Sequence, residues 1–186
     1  KGYIEDNISD LTFKLSAKSF YQVNPRQMIV LYDKAFELAN IKKTDHVMDC
    51  YSGIGTLSLL AANKAQSVTA VEMNVSAVKD AIDNAKRNHI TNVQFVRDDV
   101  ETYMKNYQGN IDLLMMDPPR TGASLQFIEA VKKLKPKNIV YISCFLETQV
   151  RDIKQLFSLY EIKDVQPVDM FPYTTHVETI TLLSLK

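Results

Sequence analysis

The chain has 186 residues, 46% hydrophobic and 24% charged, the composition of one globular domain able to bury a sizeable core. Its 22 basic and 22 acidic residues cancel, which speaks against a surface that binds nucleic acid over its whole extent and leaves room for a local basic patch. No run approaches the roughly 18 apolar residues of a membrane span, no secretory leader is visible, and two cysteines with three histidines make neither a disulfide framework nor a zinc-ligand pattern. No metal site and a reducing cytoplasm are therefore expected. The chain opens on Lys1 rather than methionine, which fits a segment of a longer protein.

Residues 11–15 alternate as a strand, residues 20–25 read as a loop, and Pro25 suits the first turn of a helix running to about Asn40. Residues 1–44 are thus expected as a lead-in of strand, loop and helix packed on the sheet that follows. From residue 45 strand and helix patterns alternate. A strand over 45–50 meets a glycine turn and a helix over 56–63; a strand over 67–72 precedes a helix over 75–88. Asn74 caps that helix, whose Val75, Val78, Ala81, Ile82 and Ala85 recur at helical spacing. A strand over 93–96, a fully apolar strand over 111–116 and a helix over 124–134 follow. The chain closes with a strand over 139–142, a helix over about 147–158, and two strands near 160–169 and 177–184. Alternation on this scale predicts an α/β fold, a mostly parallel sheet with helices on both faces.

Three segments carry chemistry. Gly53 and Gly55 sit at a strand-to-helix turn, where glycines admit a close ligand and a helix N-terminus favours a negative group. Glu72 ends the next strand, a place where an acid commonly binds ribose hydroxyls. A nucleoside cofactor with an anionic end follows, S-adenosylmethionine or NAD; the third glycine of the dinucleotide fingerprint is missing, which favours the amino-acid-bearing one. Next, Asp117-Pro118-Pro119-Arg120 follows the most apolar strand, and Cys144 ends the strand after it, both where α/β folds place ligands. Cys50 reads as a small buried hydrophobe. Glu178, finally, stands in an otherwise apolar strand, either as a solvent-facing residue or as a carboxylate beside the cysteine, with His176 nearby in a helper or packing role.

Taken in order, Phe20-Tyr21-Gln22-Val23-Asn24, Asp49-Cys50-Tyr51-Ser52-Gly53-Ile54-Gly55, Asp117-Pro118-Pro119-Arg120-Thr121-Gly122, Ser143-Cys144 and Asp169-Met170-Phe171-Pro172 with His176-Val177-Glu178 resemble the RNA 5-methyluridine (uracil-C5) methyltransferase family over essentially the whole chain. The resemblance implies a Rossmann-like class I S-adenosylmethionine-dependent methyltransferase domain over 45–186, with an RNA-binding N-terminal region lying outside this chain. It implies that Cys144 is the nucleophile and Glu178 the general base. Gln22, Tyr51, Gly53, Thr56, Glu72, Asp99 and Asp117 fall on the cofactor side, and Phe20 and Arg120 on the side of the target base. RNA is the implied partner, ribosomal RNA ahead of tRNA, and the protein is expected to be a monomer. Two positions depart from the family: Ser52 replaces a cysteine, and Phe145-Leu146 replaces the Asn-Pro that follows the nucleophile, while Thr148 is kept.

The implied chemistry is addition of a thiolate at uracil C6, which makes C5 electron-rich, methylation at C5, and removal of the C5 hydrogen by a base. Such a target leaves its stack to react. An amino-methyltransferase acting on a base nitrogen is the nearest rival, though its motif carries an aromatic where Arg120 stands. A cofactor- or RNA-binding module with impaired catalysis is the second, and a nicotinamide oxidoreductase a distant third.

Overall fold

The computed structural model describes residues 3–16 and 24–186. Phe20 and Gln22 lie outside the described residues. Two strands, β1 (Tyr3–Ile8) and β2 (Leu11–Ser16), form an antiparallel hairpin, and α1 (Pro25–Ala39) follows. Then come β3 (His46–Cys50), α2 (Thr56–Ala62), β4 (Ser67–Glu72), α3 (Val75–Arg87), β5 (Val93–Arg97) and α4 (Val100–Asn106). The last part comprises β6 (Leu113–Met116), α5 (Leu125–Leu134), β7 (Asn138–Ser143), α6 (Leu146–Leu156), β8 (Tyr160–Val168) and β9 (Glu178–Leu185).

The seven-stranded sheet runs in the order β5-β4-β3-β6-β7-β9-β8. Its first five strands pair in parallel, while β9 runs antiparallel between β7 and β8. The β6 strand is apolar and buried at every position because both its faces are covered. Alternate residues feed two cores. Val47, Leu113, Met115, Val140 and Ile142 point to the side of α1, α2 and α3. Met48, Cys50, Leu114, Met116, Ile139 and Tyr141 point to the side of α4, α5 and α6. The predicted sheet with helices on both faces is thus the observed one. Phe127, Tyr141 and Tyr160 are fully buried, and truncating any of them costs about 3–5 kcal/mol. The Tyr160 hydroxyl donates to the Pro136 carbonyl at 2.9 Å, so burial leaves it satisfied.

The lead-in divides in two. The α1 helix packs on β7, β8 and β9, whereas the hairpin packs chiefly on α3. The reason is a side-chain ladder. Asn84 and Asn88, one helical turn apart, each accept from and donate to the backbone of Lys14 and Thr12, and Asp80 accepts from the Ser16 amide. Four helical residues rise about 6 Å and two strand residues about 6.6 Å, so the two registers match and the β2 edge is satisfied. At the start of α1, Asn24 accepts from the Gln27 amide and donates to the Met170 carbonyl, which ties the lead-in to the loop before β9. Two elements escape sequence patterning. The β1 strand is half exposed and half polar, and α4 is a seven-residue helix capped by Asp99.

Candidate functional site

Strand order reverses between β3 and β6, from which the chain works outward on both sides. Ligands of open α/β sheets sit in the crevice beyond the strand ends at such a point. A cavity of about 590 Å³ opens there, walled by Tyr51, Asp117, Arg120, Cys144, His176 and Glu178 among others. A second hollow of about 520 Å³ shares Tyr51 and Pro119 with it.

Register explains how Cys144 and Glu178 meet. Ser143, the last residue of β7, pairs with Thr179 of β9, so the next pair outward is Cys144 and Glu178. Because β9 runs antiparallel, its first residue lies beside the end of β7. Glu178 is 4% exposed and turned into the cavity wall, which excludes the solvent-facing alternative. Cys144 is half-buried in the same wall, while Cys50 is buried in the core, and both thiols are free.

The site is short of positive charge. Burial pushes Glu178 up to about 7. Asp117 rises to about 8, first through burial and then through the neighbouring Glu178 and Asp49 carboxyls. Burial raises Asp49 to about 7 against the hydrogen bond it accepts from Ser58, with Glu72 adding repulsion. The Cys144 thiol is raised by burial, then by Glu178 and Asp117, and is lowered by Arg120. Perturbed acids of this kind gather at functional sites.

The glycine turn is held from below. Tyr51, Gly53 and Gly55 all have positive φ, of 65°, 55° and 79°. A Cβ on Gly55 would lie 2.9 Å from the Phe95 ring, so that glycine is a packing requirement. A Cβ on Gly53 would meet nothing within 4 Å, so that glycine faces open space. The Glu72 carboxylate accepts from the Gly53 amide at 3.0 Å and from the Asn74 amide at 2.7 Å, closing the turn and retaining lone pairs for a further donor. Among the described residues, Asp49 Oδ1 and Ser52 Oγ are buried side-chain atoms with no hydrogen-bond partner. An open glycine face, two orphaned oxygens and a carboxylate with spare acceptors fit the amino-acid end and ribose of the cofactor that the resemblance implies.

The other wall is braced by α6. Asp152, fully buried, accepts from the Tyr141 hydroxyl and the Ala123 amide, both at 2.8 Å, and pairs with Arg151. Arg151 donates to the Thr121 and Ala123 carbonyls. Gln149 donates to the carbonyls of Tyr141 and Thr179 and so bridges β7 and β9. Arg120 reaches His176 Nδ1 at 3.0 Å, on the exposed rim.

The structure therefore brings together Tyr51, Asp117, Arg120, Cys144 and Glu178 in one cavity and places Gly53, Thr56 and Glu72 around the glycine turn. Asp99 is exposed, and its Oδ1 accepts from the amide and hydroxyl of Thr102 as the cap of α4. Sequence patterning missed Asp49, though an aspartate inside a buried apolar strand is a legible signal. It also missed Asp152 and Gln149, whose helix shows no sign of where its polar face reaches.

Residues 3–186 match the family model described as tRNA (Uracil-5-)-methyltransferase. An uncharacterized RNA methyltransferase of Oceanobacillus iheyensis is 49% identical over all of this chain and 41% of its own length. One from Staphylococcus aureus is 44% identical over all of this chain and 42% of its own length. The chain thus spans about two fifths of the curated relatives it matches. Among solved structures, the tRNA (uracil-54, C5)-methyltransferase of Pyrococcus abyssi in complex with S-adenosyl-L-homocysteine superposes with a TM-score of 0.86 at 29% identity, covering 98% of this chain and 44% of that one. The tRNA m1G37 methyltransferase of M. jannaschii gives 0.77 at 14% identity, over 100% of this chain and 57% of that one, a likeness of fold alone.

Proposed function

The chain belongs to the tRNA (uracil-5-)-methyltransferase family, and from that premise we propose that it is the catalytic part of an enzyme that methylates uridine at C5 in RNA, with S-adenosylmethionine as methyl donor. The observation that carries the reading is the meeting of a thiol and a buried carboxyl across the β7–β9 register, inside a cavity at the switch point of the sheet. A methyltransferase acting on a base nitrogen would leave both groups unused, and its motif has an aromatic where Arg120 stands.

The Cys144 thiolate adds to C6 of the extruded uracil, forming an S–C6 bond and sending the C5–C6 π electrons toward O4 as an enolate. Asp117, which keeps its proton up to about pH 8, is a hydrogen-bond donor in the cavity suited to that carbonyl oxygen as charge builds on it. The glycine turn, Glu72, Asp49 and Ser52 would hold the cofactor, which when bound would supply an electrophilic methyl group to C5, the S–CH3 bond breaking with its electron pair left on sulfur. Glu178 then takes the C5 hydrogen as a proton; the C5–C6 double bond re-forms and the Cys144 thiolate leaves. A base near pKa 7 suits this task at neutral pH.

We take ribosomal RNA as the carrier of the uridine. The test is to incubate the intact protein with methyl-labelled S-adenosylmethionine and total RNA and to map the label. Label at uridine C5, lost in Cys144→Ala while cofactor still binds, is the expected result. Label on a base nitrogen that survives Cys144→Ala would replace this reading with the rival, and label in tRNA would move the substrate to the class named for the Pyrococcus neighbour.

A further inference from the structure

The residue after the nucleophile is a phenylalanine with 38% of its surface exposed, too open to serve as core. Its ring lies 5.7 Å from the Arg120 guanidinium carbon, within reach of a cation–π contact. The two residues are yoked a second time through their backbones. The Thr148 hydroxyl lies 3.0 Å from the Phe145 carbonyl and 3.2 Å from the Arg120 carbonyl, its one hydrogen shared between them. Phe145 itself is fixed by its amide, which donates to Ser143 Oγ at 3.1 Å. On its other side Arg120 is clasped by His176 Nδ1 at 3.0 Å. The guanidinium, the thiol, Asp117 and Glu178 all line the same cavity.

Resting on the reading of Cys144 as the nucleophile, we propose that Phe145 is a positioning residue: its ring and His176 together hold the Arg120 guanidinium at the cavity wall, where its positive charge stabilises the Cys144 thiolate against two neighbouring carboxyl groups. The charges acting on the thiol support this. Burial and then Glu178 and Asp117 oppose its ionisation, and Arg120 is the charged side chain that favours it, beside a backbone hydrogen bond at Cys144. A guanidinium left to swing into solvent would be screened and lose that effect. The Asn-Pro turn of the family is absent here, and the ring supplies by stacking a restraint on the arginine from the same loop.

The test needs neither RNA nor cofactor, so its failure is separate from failure of the proposed reaction. The chain has two cysteines, and Cys50 is fully buried, so alkylation by iodoacetamide reads Cys144. Rates are followed from pH 6 to 10 by intact mass. Phe145→Leu is expected to react about two- to fivefold more slowly at pH 7, the size of an exposed cation–π contact, and to converge on the wild-type rate once the thiol is fully ionised. Phe145→Tyr keeps the wild-type profile. Arg120→Gln slows the reaction at least as much, and adding Phe145→Leu to it changes nothing further. A wild-type profile for Phe145→Leu would overturn the proposal. So would an equal slowing by Phe145→Leu in the Arg120→Gln background, which would make the ring a matter of access rather than of charge.

Discussion

The two walls of the crevice are built differently. The wall proposed for the cofactor is made by neighbours in sequence: β3, the glycine turn, and Glu72 reaching from the next strand to the Gly53 amide. The wall that carries Cys144 and Glu178 is made by distant segments, joined through an antiparallel register and braced from α6 by Gln149, Arg151 and Asp152. A wall assembled locally is fixed by turn chemistry. A wall assembled from afar depends on buried polar side chains that each serve two partners. Damage to one wall should therefore spare the function of the other.

The largest effect is expected from the brace. Asp152→Ala leaves the Tyr141 hydroxyl and the Ala123 amide without a buried acceptor, and should cost about 3 kcal/mol or more in urea unfolding. A loss under 1 kcal/mol would mean that water replaces the carboxylate and that the wall is held by packing instead. Next comes Glu72→Ala. It removes the acceptor for two backbone amides and, in the proposed reading, for ribose hydroxyls, and should weaken S-adenosylmethionine by roughly 5- to 150-fold in calorimetry, about 1–3 kcal/mol. Cys144 alkylation should be unchanged in this variant; a change there would couple the two walls and break the comparison.

A further effect concerns pH. Asp49, Asp117 and Glu178 sit at about 7, 8 and 7, raised above the ordinary carboxyl range near 4. The folded chain holds these protons more tightly than the unfolded one. Their contribution to stability is therefore present below about pH 4 and lost as pH rises through 7 to 8. Melting temperature should fall between pH 5 and pH 8.5, and Asp49→Asn should flatten part of that slope. A flat profile in the parent chain would place these carboxyls in contact with water. Activity should rise from pH 5 toward 8 and fall beyond it, since the proposed mechanism uses Glu178 and Cys144 ionised and Asp117 protonated.

What the sequence made legible follows the same division. The glycine turn, Glu72 and the Asn74 cap sit on local patterns with local reasons, and the structure places them where those patterns imply. Cys144 and Glu178 were recoverable as candidates from strand ends and from a charge amid apolar residues. Their proximity was not recoverable from periodicity, since it rests on β9 inserting antiparallel between β7 and β8. The docking of the hairpin depends on Asp80, Asn84 and Asn88, whose reach to the β2 backbone no local pattern announces. Asp99, which the resemblance puts on the cofactor side, caps α4 through Oδ1, and that helix is too short to stand out in the sequence.

The central claim is that Cys144 and Glu178 act in succession on one base, the thiol making the bond to C6 and the carboxylate allowing it to break. Glu178→Gln in the intact protein, incubated with RNA and methyl-labelled S-adenosylmethionine, tests this directly on a denaturing gel. The account predicts a covalent protein–RNA band that contains the label and disappears when Cys144→Ala is added. Normal turnover by Glu178→Gln with no trapped species would contradict it, leaving Glu178 a structural residue of β9 and the C5 proton to another base.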